Sequence, residues 1–188
     1  MQSFEEKFTE DIIKNNYKKQ LIRDVQELFQ SVQIQCKKSD SHIFHAAILD
    51  FDKDESYHDF RYLVFTLKHY KTDYYEINGF YSPSNDKIYY AYLHHCTTNK
   101  TLDIIDNYVL HPEMKRKGIG SIGMSCIKQL ADKLSCTQIT GTKRPVPNTQ
   151  EEMDKLTRFY AKNGFAQSST LNNISFDMST YRTGEKNK

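Results

Sequence analysis

No apolar run in this chain reaches the roughly 18 residues that a membrane-spanning helix needs. An excess of charge of one sign is also missing. Lys and Arg number 26 against 24 Asp and Glu, for a formal net charge of +2. Bulk electrostatics therefore argues for neither nucleic acid nor an anionic membrane surface as a partner. The opening residues, Met1-Gln2-Ser3-Phe4-Glu5-Glu6, are acidic and lack an apolar segment, which predicts no secretory signal and a cytoplasmic location. The only four cysteines, Cys36, Cys96, Cys126 and Cys136, have neither metal-ligand spacing nor close pairing. They read as free thiols, and no metal site is expected. Low-complexity segments and internal repeats are absent, and 188 residues suffice for one domain with a real core. That domain is expected over residues 1–182, with 183–188 as a polar, frayed tail.

Periodicity supplies the elements. Ser3 to Glu6 reads as a capping box. Phe4, Phe8, Ile12, Tyr17, Leu21, Val25, Leu28 and Val32 then follow at helical spacing, giving one helix or two broken near Asn15-Asn16. Five β-type runs come next: His42–Phe51, Arg61–Tyr70, Tyr74–Phe80, Lys87–Cys96 and Leu102–Leu110. The polar turns between some of them predict an antiparallel meander. A second amphipathic helix, from Ile119 to Leu134, carries Ile122, Cys126, Ile127 and Leu130 in its stripe. A short strand over Thr137–Gly141 precedes a proline-broken loop, Lys143 to Asn148. Thr149-Gln150-Glu151-Glu152 is another capping box, and Gly164 fits the stop of the helix it opens. Asn173–Thr180 reads as a final strand.

Between the fifth run and the second helix lies Leu110-His111-Pro112-Glu113-Met114-Lys115-Arg116-Lys117-Gly118-Ile119-Gly120-Ser121. A strand, a basic glycine turn and a helix start form a site for a pyrophosphate. The turn's N–H groups point at the anion and the helix terminus adds partial positive charge. Gly118 and Gly120 are expected to let the backbone approach the phosphates closely. The spacing differs from that of a P-loop and from the three-glycine dinucleotide fingerprint.

The pattern basic-x-x-Gly-x-Gly after an aliphatic-x-Pro triplet resembles the acetyl-CoA motif of the GCN5-related N-acetyltransferase (GNAT) family. Arg158-Phe159-Tyr160-Ala161-Lys162-Asn163-Gly164-Phe165 is similar to that family's later Phe-Tyr-x-Lys-x-Gly-Phe motif. Together they cover roughly residues 101–178, and residues 1–100 carry no motif of the family. The resemblance implies an α/β fold (α+β layout), a mixed, mostly antiparallel sheet flanked by helices. It implies direct transfer of acetyl from acetyl-CoA to a primary amine on a small molecule or a protein, with no nucleic-acid partner. A homodimer is common in the family.

Roles follow residue by residue from the resemblance. Lys115, Arg116, Lys117, Gly118, Ile119, Gly120 and Ser121 would hold the cofactor's phosphates. The family most often has Gln or Arg where Lys115 stands, and lysine keeps the charge without the planar fork. The backbone of Tyr108, Val109 and Leu110 would pair with pantetheine as a pseudo-strand. Tyr160 would protonate the departing thiolate, as a phenol near pKa ~10 can. The family often places an Asn where this chain has Met153. The base that deprotonates the amine stays open among Asp103, Asp106, Glu76, His94 and His95. No acidic cluster marks a polyamine or aminoglycoside site, and no basic stripe marks nucleic acid. Tyr74, Tyr75, Tyr89, Tyr90 and Tyr92 read more simply as strand formers than as an acceptor cleft. A binding module without turnover, or transfer of another acyl group, are the rival readings.

Overall fold

The computed structural model describes residues 23–50, 60–70, 72–82, 84–168 and 172–185. The first capping box and the helical pattern before residue 23 lie outside them. Helix α1 spans residues 23–39 of the described chain, past the expected end at Val32. Eight strands follow: β1 Ser41–Asp50, β2 Phe60–Tyr70, β3 Tyr74–Tyr81, β4 Lys87–Cys96, β5 Thr101–Val109, β6 Gln138–Thr142, β7 Ala166–Gln167 and β8 Asn173–Asp177. They form one sheet in the order β1-β2-β3-β4-β5-β6-β8-β7. All pairs are antiparallel except β5 with β6. The single parallel step follows from the helical crossover between these two strands: α2, Ile119–Lys133. Helices α3, Gln150–Lys162, and α4, Met178–Glu185, complete the fold.

The meander buries two faces. Leu63, Phe65 and Leu67 of β2, Ile77 of β3 and Leu93 of β4 join Met124, Ile127 and Leu130 of α2 in the main core. Val64 and Phe80, on the opposite face, meet Leu28, Val32 and Cys36 of α1. Strand alternation explains the division, because Leu63 and Val64 project to opposite sides. All four cysteines are free, and three of them are buried core residues.

The expected last strand over Asn173–Thr180 is corrected. It ends at Asp177, and Met178–Glu185 is helical. The Asp177 carboxylate accepts from the Ser179 N–H at 2.8 Å, which opens the helix. Arg182 fastens it, donating to Asp132 at 2.7 Å and to the Cys136 carbonyl at 3.0 Å. Residues 183–185 are thus helical rather than a frayed tail. The two-residue β7 has no counterpart in the pattern reading, since it is too short to show a period.

Candidate active site

The glycine turn is built by the backbone. A single 3-10 turn over Pro112–Met114 leads to Arg116 at φ 67° and Gly118 at φ 89°. Left-handed residues so close together are the kind of backbone from which anion-binding turns are made. Gly118 is the N-cap of α2, and no side chain caps the helix. The first-turn N–H groups of Ile119, Gly120 and Ser121 therefore have no intrahelical acceptor. Lys115, Arg116 and Lys117 are all exposed around them. Ile119 contributes backbone alone, because its side chain is 1 % exposed.

The glycines divide the work differently from the expectation. Gly118 holds a left-handed conformation that a side chain would strain. A Cβ on Gly120 would sit 3.1 Å from the Phe159 ring, so this glycine makes room for α3. Gly123, in the next turn, faces the Tyr89 ring, which a Cβ there would overlap. Both pack elements together; Gly118 is the one that shapes the turn.

Strand β5 splits from β6 beside this turn. The two pair only from Thr101↔Gln138 to Ile104↔Gly141. On the other side, β5 keeps its ladder with β4, but Tyr92 pairs Asp106 and Leu93 pairs Ile104, leaving Ile105 as a bulge. Beyond the bulge, no strand among the described residues covers the β6-side edge. Leu110 donates its N–H to the Ile88 carbonyl at 2.9 Å. By strand alternation Tyr108 also turns its backbone to β4, and the open edge belongs to Asn107 and Val109. Of the three residues expected to pair with pantetheine, only Val109 presents groups there. The Tyr108 side chain lies on the face away from α2, 5.3 Å from the Tyr90 ring.

Tyr160 reaches the same strand from α3. It is 6 % exposed and hydrogen-bonded to the Asn107 side chain. Burial raises the phenol's pKa, and the Asn107 hydrogen bond partly opposes this. Asn107 also donates to the Met124 sulfur at 3.1 Å. Helix α3 is held in place by its Thr149 cap, which accepts from Glu152 N–H at 3.3 Å. Lys143 pins it further, donating from a buried position to Thr157 and Gln167, each at 2.9 Å. Lys128 of α2 donates to the Asn163 carbonyl at its C-terminal end. Asn107 escaped the sequence reading: a polar residue in a strand carries no signal until its partners are known. Met153 is half-buried on α3.

On the opposite face a cleft of about 480 Å³ opens along the split, lined by Asp103, Ile105, Thr140, Arg144, Ser168 and Ser175 among others. Asp103 accepts a hydrogen bond from Thr140 and stands 3.7 Å from His94 Nδ1, its cross-strand neighbour. Of the five candidate bases, these two meet in or beside the cleft. Glu76 is bound instead by Tyr70 and Asn78.

No family model and no curated protein matches this chain. Solved structures of acetyltransferases do match it. A GNAT-family acetyltransferase from Staphylococcus aureus Mu50 is 10 % identical, covering 56 % of this chain and 68 % of that one at a TM-score of 0.46. Nourseothricin acetyltransferase is 13 % identical over 73 % and 87 % of the two chains, at 0.48. PaiA N-acetyltransferase from Thermoplasma acidophilum, in complex with coenzyme A, is 16 % identical over 56 % and 61 %, at 0.45. At these scores the likeness carries no argument for chemistry, which rests on the chain's own residues.

Proposed function

We propose that the protein transfers an acetyl group from acetyl-CoA directly to a primary amine. The supporting observation is a convergence: the uncapped start of α2, the open edge of β5 and the Tyr160–Asn107 pair all border one split in the sheet. Open N–H groups suit a pyrophosphate, and a free strand edge suits the amides of pantetheine. In this reading the amine nitrogen attacks the thioester carbon from the cleft side. A β5-edge N–H, on Asn107 or Val109, stabilises the oxyanion. As the C–N bond forms and the C–S bond breaks, Tyr160 gives its proton to the leaving thiolate and regains one from solvent. Asp103, with His94 beside it, takes the proton that the acceptor ammonium sheds before attack, and the second proton, lost from nitrogen as the amide forms, leaves to solvent.

The near-complete burial of Tyr160 favours a second reading, a module that binds acetyl-CoA without turnover. Two measurements separate the readings. Calorimetric titration with acetyl-CoA and CoA, against ATP and NAD as controls, is expected to show micromolar binding of the CoA species alone. No CoA binding would sink both readings. Binding without thiol release across a panel of amines would leave the sensor.

A further inference from the structure

The largest fully buried side chain among the described residues is Tyr89, and its hydroxyl has no hydrogen-bond partner among them. A phenol oxygen buried in this way forfeits the bonds it makes to water in the unfolded chain. The same contact weakens α2. The ring fits because position 123, inside that helix, is glycine, and a Cβ there would overlap both the ring and the hydroxyl. Glycine disfavours a helix interior. Phenylalanine at position 89 would fill the core equally well and leave no unpaired oxygen. Resting on the acetyl-transfer reading, we propose that Tyr89 is a positioning residue of the reaction: its hydroxyl donates a hydrogen bond to the Tyr160 oxygen once that oxygen has passed its proton to the leaving thiolate.

The fold brings the two hydroxyls to one place. Tyr89 stands opposite Val109 in the β4–β5 ladder, and Tyr160 bonds Asn107, two residues along β5 and on the same face. The same order holds on the helix that packs over them. The Tyr89 hydroxyl lies against Gly123, and Asn107 reaches the sulfur of Met124, the next residue, at 3.1 Å. Phe65 meets the Tyr89 ring edge-on at 5.6 Å and holds its plane. Proton transfer to the thiolate changes what Tyr160 offers. A phenolate oxygen draws hydrogen bonds more strongly than a neutral phenol. Asn107 already donates to it, and Tyr89 is a donor with no other acceptor among the described residues. Burial, and after it Cys126 and Tyr160, hold the Tyr89 phenol well above its usual range, so Tyr89 keeps its proton while it donates. Only a hydrogen bond forms, and Tyr160 still regains its proton from solvent. Because this bond strengthens only as the proton moves, it lowers the barrier and leaves ground-state binding alone. Its loss should appear in kcat, not in KM.

The test is Tyr89→Phe in the wild-type and Tyr160→Phe backgrounds. Thiol release from acetyl-CoA is followed with n-butylamine, 2-phenylethylamine, glycinamide and an unblocked octapeptide as acceptors, and stability by urea unfolding. Removing an unpaired hydroxyl should raise the urea midpoint. With the fastest of these amines, kcat should fall by about tenfold or more while the KM for acetyl-CoA stays within about twofold. In the Tyr160→Phe background the same change should move kcat by less than about twofold, since Tyr89 acts only through the Tyr160 oxygen. An unchanged kcat with a raised midpoint overturns the proposal and leaves acetyl transfer standing. A lowered midpoint also overturns it, because the hydroxyl would then have a partner at rest. An equal loss of kcat in both backgrounds assigns Tyr89 to packing and overturns it too. No thiol release from the wild type with any of the four acceptors overturns acetyl transfer, and this role of Tyr89 with it.

Discussion

In the acetyl-transfer reading Tyr160 acts on the leaving group, and its burial keeps water away from the hydroxyl. Its burial keeps the proton on the oxygen at neutral pH, and Asn107 orients the hydroxyl. Tyr160→Phe removes the proton and little volume. It should lower kcat on the order of 10²-fold with unchanged CoA affinity. A variant as active as the wild type would take Tyr160 out of the mechanism. Gly118→Glu should abolish CoA binding by calorimetry while the circular dichroism spectrum persists. Gly123→Ala sets two effects against each other. Alanine gains ~1 kcal/mol of helix propensity. Its Cβ, however, would overlap the ring of Tyr89, which is fully buried. Overpacking of this kind costs ~1–3 kcal/mol, so urea unfolding should show a net loss. A gain would mean that the Tyr89 ring has room to retreat.

Elements carry the next level of constraint. Helix α2 does two things at once: its N-terminus faces the turn and its inner face fills the core. Cys126 on that face is pushed up to about 12 by burial, and Cys136 just beyond the helix to about 11. Cys36 is buried on the inner face of α1, and Cys96 alone is half-buried. A chromogenic disulfide at pH 8 should therefore titrate one thiol quickly and the other three only on unfolding. More than one fast thiol would contradict the packing of α1 or α2. The β5 strand shows where local patterns stop informing. Its apolar positions are plain in the sequence, but the bulge at Ile105 and the open edge beyond it depend on pairing with β4 and β6. Helix α4 is hidden in the sequence pattern for a related reason. Asn173–Thr180 alternates like a strand, and the Asp177 cap that ends it is visible only with the Ser179 N–H in place.

At the scale of the molecule, proton linkage sets the alkaline limit. Burial holds the Tyr89 phenol far above its usual value, and Tyr160 is shifted the same way. Tyr70 is raised to about 12, chiefly by donating to Glu76. In each case the folded state keeps a proton that the unfolded chain has lost. Stability from these groups is intact below the unfolded values, ~8.5 for thiols and ~10 for phenols, and falls as pH rises through the folded ones. The urea midpoint should decline steadily above pH ~9. Tyr70→Phe should leave most of that decline, since Tyr70 is partly exposed and its coupling to Glu76 is screened. A flat profile to pH 11 would mean that these hydroxyls reach water.

The sequence by itself determined what short-range physics can encode. Glycine spacing and the basic turn define the start of α2, and the Thr149 cap that of α3, because each requirement is met within a few residues. The five β runs and their polar turns likewise imply the meander. Tertiary structure alone decided which residues share a surface. Strand register brings Glu76, Tyr92 and Asp106 into one row and sets His94 against Asp103. It also turns Asn107, not Leu110, toward the open edge. Those relations hang on pairings between distant strands, where a shift of one residue moves every side chain to the opposite face.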